Sequence, residues 1–308
     1  MDGLVELRIS RAAQYLERGA SHQAIELLKQ VLGDEPEHAL AHALLGEALI
    51  KQRRIHAALY ETKLALSLSP DSSLCHRAMA AAYVAHGKLA LAQEHVEKAL
   101  ELAPSDYHAL LQLAAIASLA GRPSEALSRA EEARALAPDD PDTLCAVGSA
   151  LLELGRVDEA RRALEDALAE SAEHADSLLG MGRIALLRGD IADARAHAVA
   201  VLNIAPDNEG AIRLLVGIKT RTNLFVGLWW RMNAWLTLRP TRAVTVLVFA
   251  YLLQRALTTW AQLHRHSMTE SIISWGWIAL CVYSWVAPVY YRRALQKELA
   301  TVTFRAEF

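Results

Sequence analysis

The chain of 308 residues has 53% hydrophobic and 22% charged side chains and a formal net charge of −3. This composition excludes a disordered polyelectrolyte, and 15 Gly and 9 Pro exclude a fibrous or low-complexity chain. Residues 1–223 carry 23 basic and 32 acidic residues and neither Trp nor Phe. Residues 224–308 hold all seven Trp, all four Phe, nine basic and three acidic residues. We therefore predict two domains in two environments, and the acidic start without a basic n-region places the first in the cytosol.

The first domain repeats every 34 residues. Four series of residues keep this spacing: Pro36, Pro70, Pro104, Pro138 and Pro206, with Ala172 where a proline is missing; Ala24, Ala58, Ala92, Ala126, Ala160 and Ala194; Gly19, Gly87, Gly121, Gly155 and Gly189, with Arg53 as the substitution; and Gly46, Ala80, Ala114, Gly148 and Gly182. Small residues allow two helices to approach closely, glycine permits the turn between them, and proline ends each unit. The period therefore predicts stacked helix pairs.

These residues resemble the tetratricopeptide repeat (TPR), which has a small residue, an alanine and a proline at matching places. The resemblance implies an all-α, right-handed solenoid of about six repeats over about residues 5–208, with a capping helix over about 209–222. The aromatic positions of the family are mostly aliphatic here, apart from Tyr15 and Tyr83. The first domain is predicted to span residues 1–222.

The resemblance also implies that the first helix of each pair lines a partner groove. Thirteen residues are predicted to form it: Leu40, Glu47, Leu74, Arg77, Ala81, Val84, His108, Leu111, Ala115, Asp142, Ser149, Leu179 and Arg183. The same pattern places Ala43, Cys145 and Leu152 on this face. The groove is largely apolar, and the family's paired Lys and Asn residues for a C-terminal carboxylate are missing. An apolar helix or extended segment of another protein is therefore the expected ligand.

The second part contains two apolar stretches, about 243–260 and 271–291. The second has no charged residue and carries aromatic residues towards its ends, which is typical of a membrane span. We predict an interfacial amphipathic helix over 223–240, a transmembrane helical hairpin over 241–291 and a cytoplasmic tail over 292–308, with the TPR domain and both termini in the cytoplasm. The predicted membrane-interface residues are Trp229, Trp230, Arg231, Trp235, Trp260, Trp275, Trp285, Arg292 and Arg293.

Motifs of known catalytic and metal sites do not occur in the sequence. HExxH, GxSxG and the P-loop are missing, so we expect no catalytic residue, no cofactor and no metal site. An acidic repeat domain without a basic stripe argues against nucleic acid as a partner. His42 and His76 hold equivalent positions in adjacent repeats and are predicted to lie on a solvated helix surface.

These features predict a non-enzymatic, membrane-anchored scaffold or adaptor that binds a partner protein in the TPR groove. One alternative is an accessory or assembly subunit of a membrane channel, transporter or enzyme complex, in which the hairpin makes the main contacts. A second alternative is a homo-oligomeric coat on the membrane. The expected partners are thus a protein or membrane protein complex, membrane lipid and, in the coat, a second copy of the chain.

Overall fold

The computed structural model describes residues 2–17, 19–205, 208–222, 254–256, 258–259, 275 and 277. Over these ranges it contains thirteen helices: α1 (Asp2–Glu17), α2 (Ser21–Asp34), α3 (Ala39–Lys51), α4 (Ile55–Leu68), α5 (Ser73–Ala85), α6 (Leu89–Leu102), α7 (Tyr107–Leu119), α8 (Pro123–Leu136), α9 (Pro141–Glu153), α10 (Val157–Glu170), α11 (Ala175–Arg188), α12 (Ile191–Ile204) and α13 (Glu209–Thr222). The predicted helix pairs and the helix after them are confirmed. Within the described ranges, no helix is both long and apolar enough to cross a bilayer.

The turn inside each repeat has a left-handed backbone, as the glycine series predicts. Gly19, Gly87, Gly121, Gly155 and Gly189 have φ between 72° and 86°. Arg53 adopts the same conformation with a φ of 58°, although it carries a Cβ. The 34-residue architecture therefore imposes this backbone even where glycine is missing, at a cost of about 1–2 kcal/mol.

In the first unit, four helices begin at a polar residue whose side chain accepts a hydrogen bond from a backbone N–H of the first turn, at distances of 3.0–3.4 Å. These N-caps recur every 34 residues: His38 for α3, Ser72 for α5, Asp106 for α7 and Asp140 for α9. Each cap satisfies an amide that has no partner within the helix. The start of these four helices is thus fixed locally by the sequence.

Close packing explains the series of small residues. A Cβ atom at Gly46 would lie 2.3 Å from Thr62 Cγ2, and one at Gly148 would lie 2.7 Å from Leu164 Cγ. Leu164 is fully buried, and a Cβ atom at Gly180 would lie 2.7 Å from its Cδ1 atom. The large side chain of Leu164 is therefore accommodated because two glycines face it.

Residues Met1–Ile184 form one compact unit. Each even-numbered helix from α2 to α10 packs on the helix before it, and α3, α5, α7 and α9 also contact one another in sequence. Alanines, leucines and other apolar side chains from these helices fill clusters along the stack. The unit thus buries a continuous series of small cores between neighbouring helices, as expected of stacked repeats.

Residues Ala185–Phe308 form a second unit. In its described part, α12 packs on α13, with Ala198, Val201, Leu214 and Leu215 buried. The predicted segments 223–240, 241–291 and 292–308 lie outside the described residues, except for helical residues at 254–256, 258–259, 275 and 277. Trp275, one of the predicted interface residues, is 70% exposed. The predicted segment boundaries remain predictions.

The prediction of a solvated surface at His42 and His76 is wrong. Both rings are buried, and each Nε2–H donates to the carbonyl oxygen of the proline six residues earlier, at 2.8 Å for Pro36 and 3.0 Å for Pro70. The histidines thus bind the turn that precedes their own helix. A buried ring that satisfies a loop carbonyl is compatible with the core because its polar atoms are paired.

Candidate protein-binding groove

The predicted groove residues all reach the surface of the first unit. We use "the groove" for the face formed by these residues on α3, α5, α7, α9 and the part of α11 up to Ile184. The partly buried members are Leu40, Glu47, Leu74, Arg77, Ala81, Val84, Leu111, Ser149 and Leu179, and the exposed members are His108, Ala115, Asp142 and Arg183. The three further residues assigned to this face are buried instead: Ala43, Cys145 and Leu152.

Apolar side chains give the groove its character. Leu40 and Leu74 line a crevice between the first turns of α3 and α5. Leu119, at the last residue of α7, is 62% exposed. Ala43, Cys145 and Leu152 belong to the apolar clusters beneath the surface. The helices therefore offer a row of accessible apolar side chains above a packed layer, which suits contact with an apolar segment.

An ion pair joins two neighbouring helices in this groove. Nη1 of Arg77 on α5 donates to both carboxylate oxygens of Asp106, at 3.0 and 3.1 Å. Asp106 also accepts from Ser73 Oγ at 3.0 Å and caps α7. Burial alone would raise the pKa of Asp106, but the hydrogen bonds and charge of Arg77, with those of Ser73 and Ala109, hold it below its usual value. The charge of Arg77 is thus compensated within the protein.

Two polar atoms beside this ion pair have no hydrogen-bond partner within the described ranges. Gln112 donates from Nε2 to the backbone oxygen of Arg77 at 3.3 Å, whereas its Oε1 atom is unpaired. Nε of Arg77 is also buried and unpaired. Unsatisfied buried polar atoms are rare in folded proteins. Both atoms lie beneath the accessible groove residues and keep hydrogen-bonding capacity that the described part of the protein does not use.

Glu47 on α3 is a second carboxylate that is coupled electrostatically to Arg77. Burial raises the pKa of Glu47 above its ordinary value, while the charges of Arg77 and Lys51 oppose that shift. In the part of the chain that the structure describes, no hydrogen bond or ion pair reaches its carboxylate. Glu47 is therefore a partly buried acid that no side chain neutralises by direct contact.

A second polar cluster lies further along the groove. Nε2 of His174 is 2.9 Å from Asp142 Oδ1, and its Nδ1 is 2.7 Å from Ser177 Oγ. The hydrogen bond to Asp142, with the further contribution of Cys145, raises the pKa of His174 to about 10. The same hydrogen bond lowers the pKa of Asp142. Among the described residues, no group of three or more His, Cys, Asp or Glu side chains is arranged to hold a metal ion.

The polar bridges between repeats were not anticipated from the sequence. Ser73 and Asp106 are 33 residues apart, Asp142 and His174 are 32 apart, and Ser118 donates to Glu153, 35 residues away, at 2.5 Å. The signal that predicts such pairs is a separation near the repeat length, because equivalent positions of adjacent repeats are neighbours in the stack. The membrane-interface residues other than Trp275 lie outside the described residues.

Several solved structures have folds similar to that of this chain. TTC0263, a thermophilic TPR protein of Thermus thermophilus, is 22% identical with a TM-score of 0.55, covering 59% of this chain and 99% of its own. PilW, a type IV pilus biogenesis factor, is 20% identical with a TM-score of 0.51, covering 69% and 98%. The APC/C hetero-tetramer Cut9-Hcn1 is 18% identical with a TM-score of 0.63, covering 91% of this chain and 55% of the other. These identities support the fold alone.

Family models agree with the repeat found in the sequence. Two models, both described as tetratricopeptide repeat, match residues 15–82 and 151–217 in one case and 77–141 in the other. No curated protein matches the chain. The matched residues together make up more than half of the 308 residues and coincide with the helix pairs of the structure. The chain belongs to the tetratricopeptide repeat family.

Proposed function

We propose that this protein is an interaction scaffold that holds an apolar segment of a partner protein in the groove. The observation that carries the proposal is the row of accessible apolar side chains on α5 and α7, including Val84, Leu111 and Leu119. The family supports a role in protein interaction, and helix-in-groove or extended-segment binding uses this kind of surface.

The charges in the groove favour an internal segment of the partner over a free C-terminal carboxylate. Arg77 already binds Asp106 through both carboxylate oxygens. Arg183 is exposed on α11, and its equivalents in the preceding two repeats are Ser149 and Ala115. A carboxylate would therefore meet one exposed guanidinium and no second cation at the equivalent positions, which is weak compared with a paired site.

Membrane anchoring is the second part of the proposal and is supported by the sequence. The uncharged run over 271–291 and the net positive charge of residues 224–308 are its basis. In this proposal the scaffold is an integral membrane protein that presents the groove at the cytoplasmic face. Alkaline carbonate extraction of membranes tests the anchoring: the protein should stay in the pellet, and release into the supernatant would contradict it.

Affinity purification of the full-length protein in mild detergent tests the scaffold role. Leu111→Glu places a charge in the groove, and Leu136→Glu places the same charge on the exposed end of α8, where Leu136 is 48% exposed. We expect a co-purifying protein to be lost with Leu111→Glu and kept with Leu136→Glu. Retention with both variants would contradict groove binding and favour the alternative in which the C-terminal part makes the main contacts. Circular dichroism of each variant verifies that it is folded.

A further inference from the structure

The partly buried carboxylate of Glu47 is suited to contact a cation of a binding partner. It lies on α3, partly buried, and its carboxylate receives no direct hydrogen bond or ion pair from the described residues. A buried carboxylate loses hydration, and the loss is compensated only when a donor or an opposite charge contacts it. Such a group within an interaction surface is a candidate contact for a positively charged ligand.

The two cations coupled to Glu47 are both engaged elsewhere. Nη1 of Arg77 is directed to Asp106, which accepts it with both oxygens. Nζ of Lys51, one turn after Glu47 on α3, donates to the backbone oxygen of Leu16. Each contact is fixed by a neighbouring element, because Asp106 is also the N-cap of α7 and Leu16 belongs to α1. Both cations that are coupled to Glu47 therefore already contact another residue.

The side chains at equivalent positions leave room for a ligand beside Glu47. The residues 34 positions apart in the following repeats are Ala81, Ala115 and Ser149, all small and all accessible. Since α3 contacts α5 and α5 contacts α7, these positions are neighbours in the stack. A segment that lies along this row meets small side chains first and then the carboxylate of Glu47.

We propose that Glu47 is the receptor for one Lys or Arg side chain of the partner, carried within the apolar segment that occupies the groove. This inference rests on the proposed function and specifies the chemistry of the partner. An ammonium or guanidinium group of the partner contacts the Glu47 carboxylate through a charge-assisted hydrogen bond. The excess of acidic over basic residues in 1–223 attracts such a segment.

The expected gain in binding affinity follows from the strength of a hydrogen bond between charged groups. A hydrogen-bonded pair between charged groups at a partly buried site improves affinity about tenfold or more over an uncharged side chain of similar length. An acidic residue at the same place of the ligand faces Glu47 directly, so its binding should be weaker than that of the uncharged side chain. The preference should therefore be Lys or Arg first, norleucine second and Glu last.

A random-peptide phage library panned on full-length protein tests the proposal. Peptides selected on the wild type should combine apolar residues with one recurrent Lys or Arg, and a selected peptide should lose affinity about tenfold when norleucine replaces that residue. This difference should disappear in Glu47→Gln and persist in Glu153→Gln, which alters an exposed carboxylate that accepts from Ser118. Glu47→Lys should bind the Glu version of the peptide better than the Lys version.

The outcomes separate this proposal from the one on which it rests. Apolar peptides that bind in a Leu111-dependent manner without a basic preference would overturn the role of Glu47 and leave the scaffold function intact. A basic preference that is unchanged in Glu47→Gln would also overturn it. Peptides whose binding is insensitive to Leu111→Glu would contradict the groove itself, and the proposed function would fail with it.

Discussion

Gly148→Ala tests the packing that stacks the repeats. The added Cβ atom would lie 2.7 and 2.9 Å from Cγ and Cδ2 of Leu164, well inside the contact distance of carbon atoms. Leu164 is fully buried and faces Gly180 on its other side, so it has no free space into which to move. Overpacking of this kind costs about 1–3 kcal/mol, against a gain of about 1 kcal/mol in helix propensity. We expect a net loss of up to about 2 kcal/mol in the free energy of unfolding.

Urea denaturation of the full-length protein, followed by far-ultraviolet circular dichroism, measures this change. Gly33→Ala is the matched control, because Gly33 lies in α2 with nothing within 4 Å of the added Cβ atom. It should stabilise the protein by up to about 1 kcal/mol. In a Leu164→Ala background, Gly148→Ala should become neutral or stabilising, since Ala114 and Ala130 already pair at the equivalent positions of the preceding repeat. Equal destabilisation in both backgrounds would refute the packing explanation.

Three further predictions concern the backbone and the histidines. Arg53→Gly should raise stability by about 1 kcal/mol in thermal denaturation, because it relieves a left-handed residue with a Cβ atom, whereas Arg53→Ala keeps that atom and should not. Burial and the charge of His76 lower the pKa of His95 below 6.5, so the unfolded chain binds the proton more readily than the folded protein. Stability should therefore fall as pH drops below about 6.5 in pH-dependent urea titrations. His95→Glu, which reproduces the His42–Glu61 pair of the preceding repeat, should remove this fall. The pKa of His174 is raised to about 10, so its imidazole should stay protonated well above pH 6.5 and contribute stability that is lost as pH rises through about 10. NMR titration of the His174 ring should show the raised pKa, and Asp142→Asn should return that pKa towards 6.5.

The helices and turns were predictable because local residue types impose them. Proline ends each unit, glycine permits the left-handed turn, and small residues mark the helix contact, so the 34-residue period contains most of the fold. The observed left-handed conformation of Arg53 extends this point. A repeat without the turn glycine still adopts the turn, because the neighbouring packing at Ala58 and Gly46 is preserved.

The polar contacts were not predictable in the same way. His42 is buried because its partners, the Pro36 carbonyl and Glu61, come from the preceding turn and the next helix. Its residue type alone suggested a solvated surface. Arg77 is neutralised by Asp106, which is 29 residues away in the sequence. Such pairs depend on rotamers and on the register between helices, which hydrophobic periodicity does not specify.

The repeat pattern also did not predict how deeply each groove residue is buried. Ala43, Cys145 and Leu152 share the repeat positions of accessible residues, yet they are buried in apolar clusters. Residues at equivalent positions of the repeats therefore lie on the same face of their helices but can differ in exposure.

Site-specific photocrosslinking in cells tests the central claim that the groove is the binding surface. A photoreactive residue at Ala115, exposed on α7, is compared with one at Ala135, exposed on α8. We predict a discrete crosslinked protein from Ala115 that is absent from Ala135 and lost when Leu111→Glu is added. Crosslinks of equal yield from both positions, or a crosslink at Ala115 that survives Leu111→Glu in a folded protein, would contradict the claim.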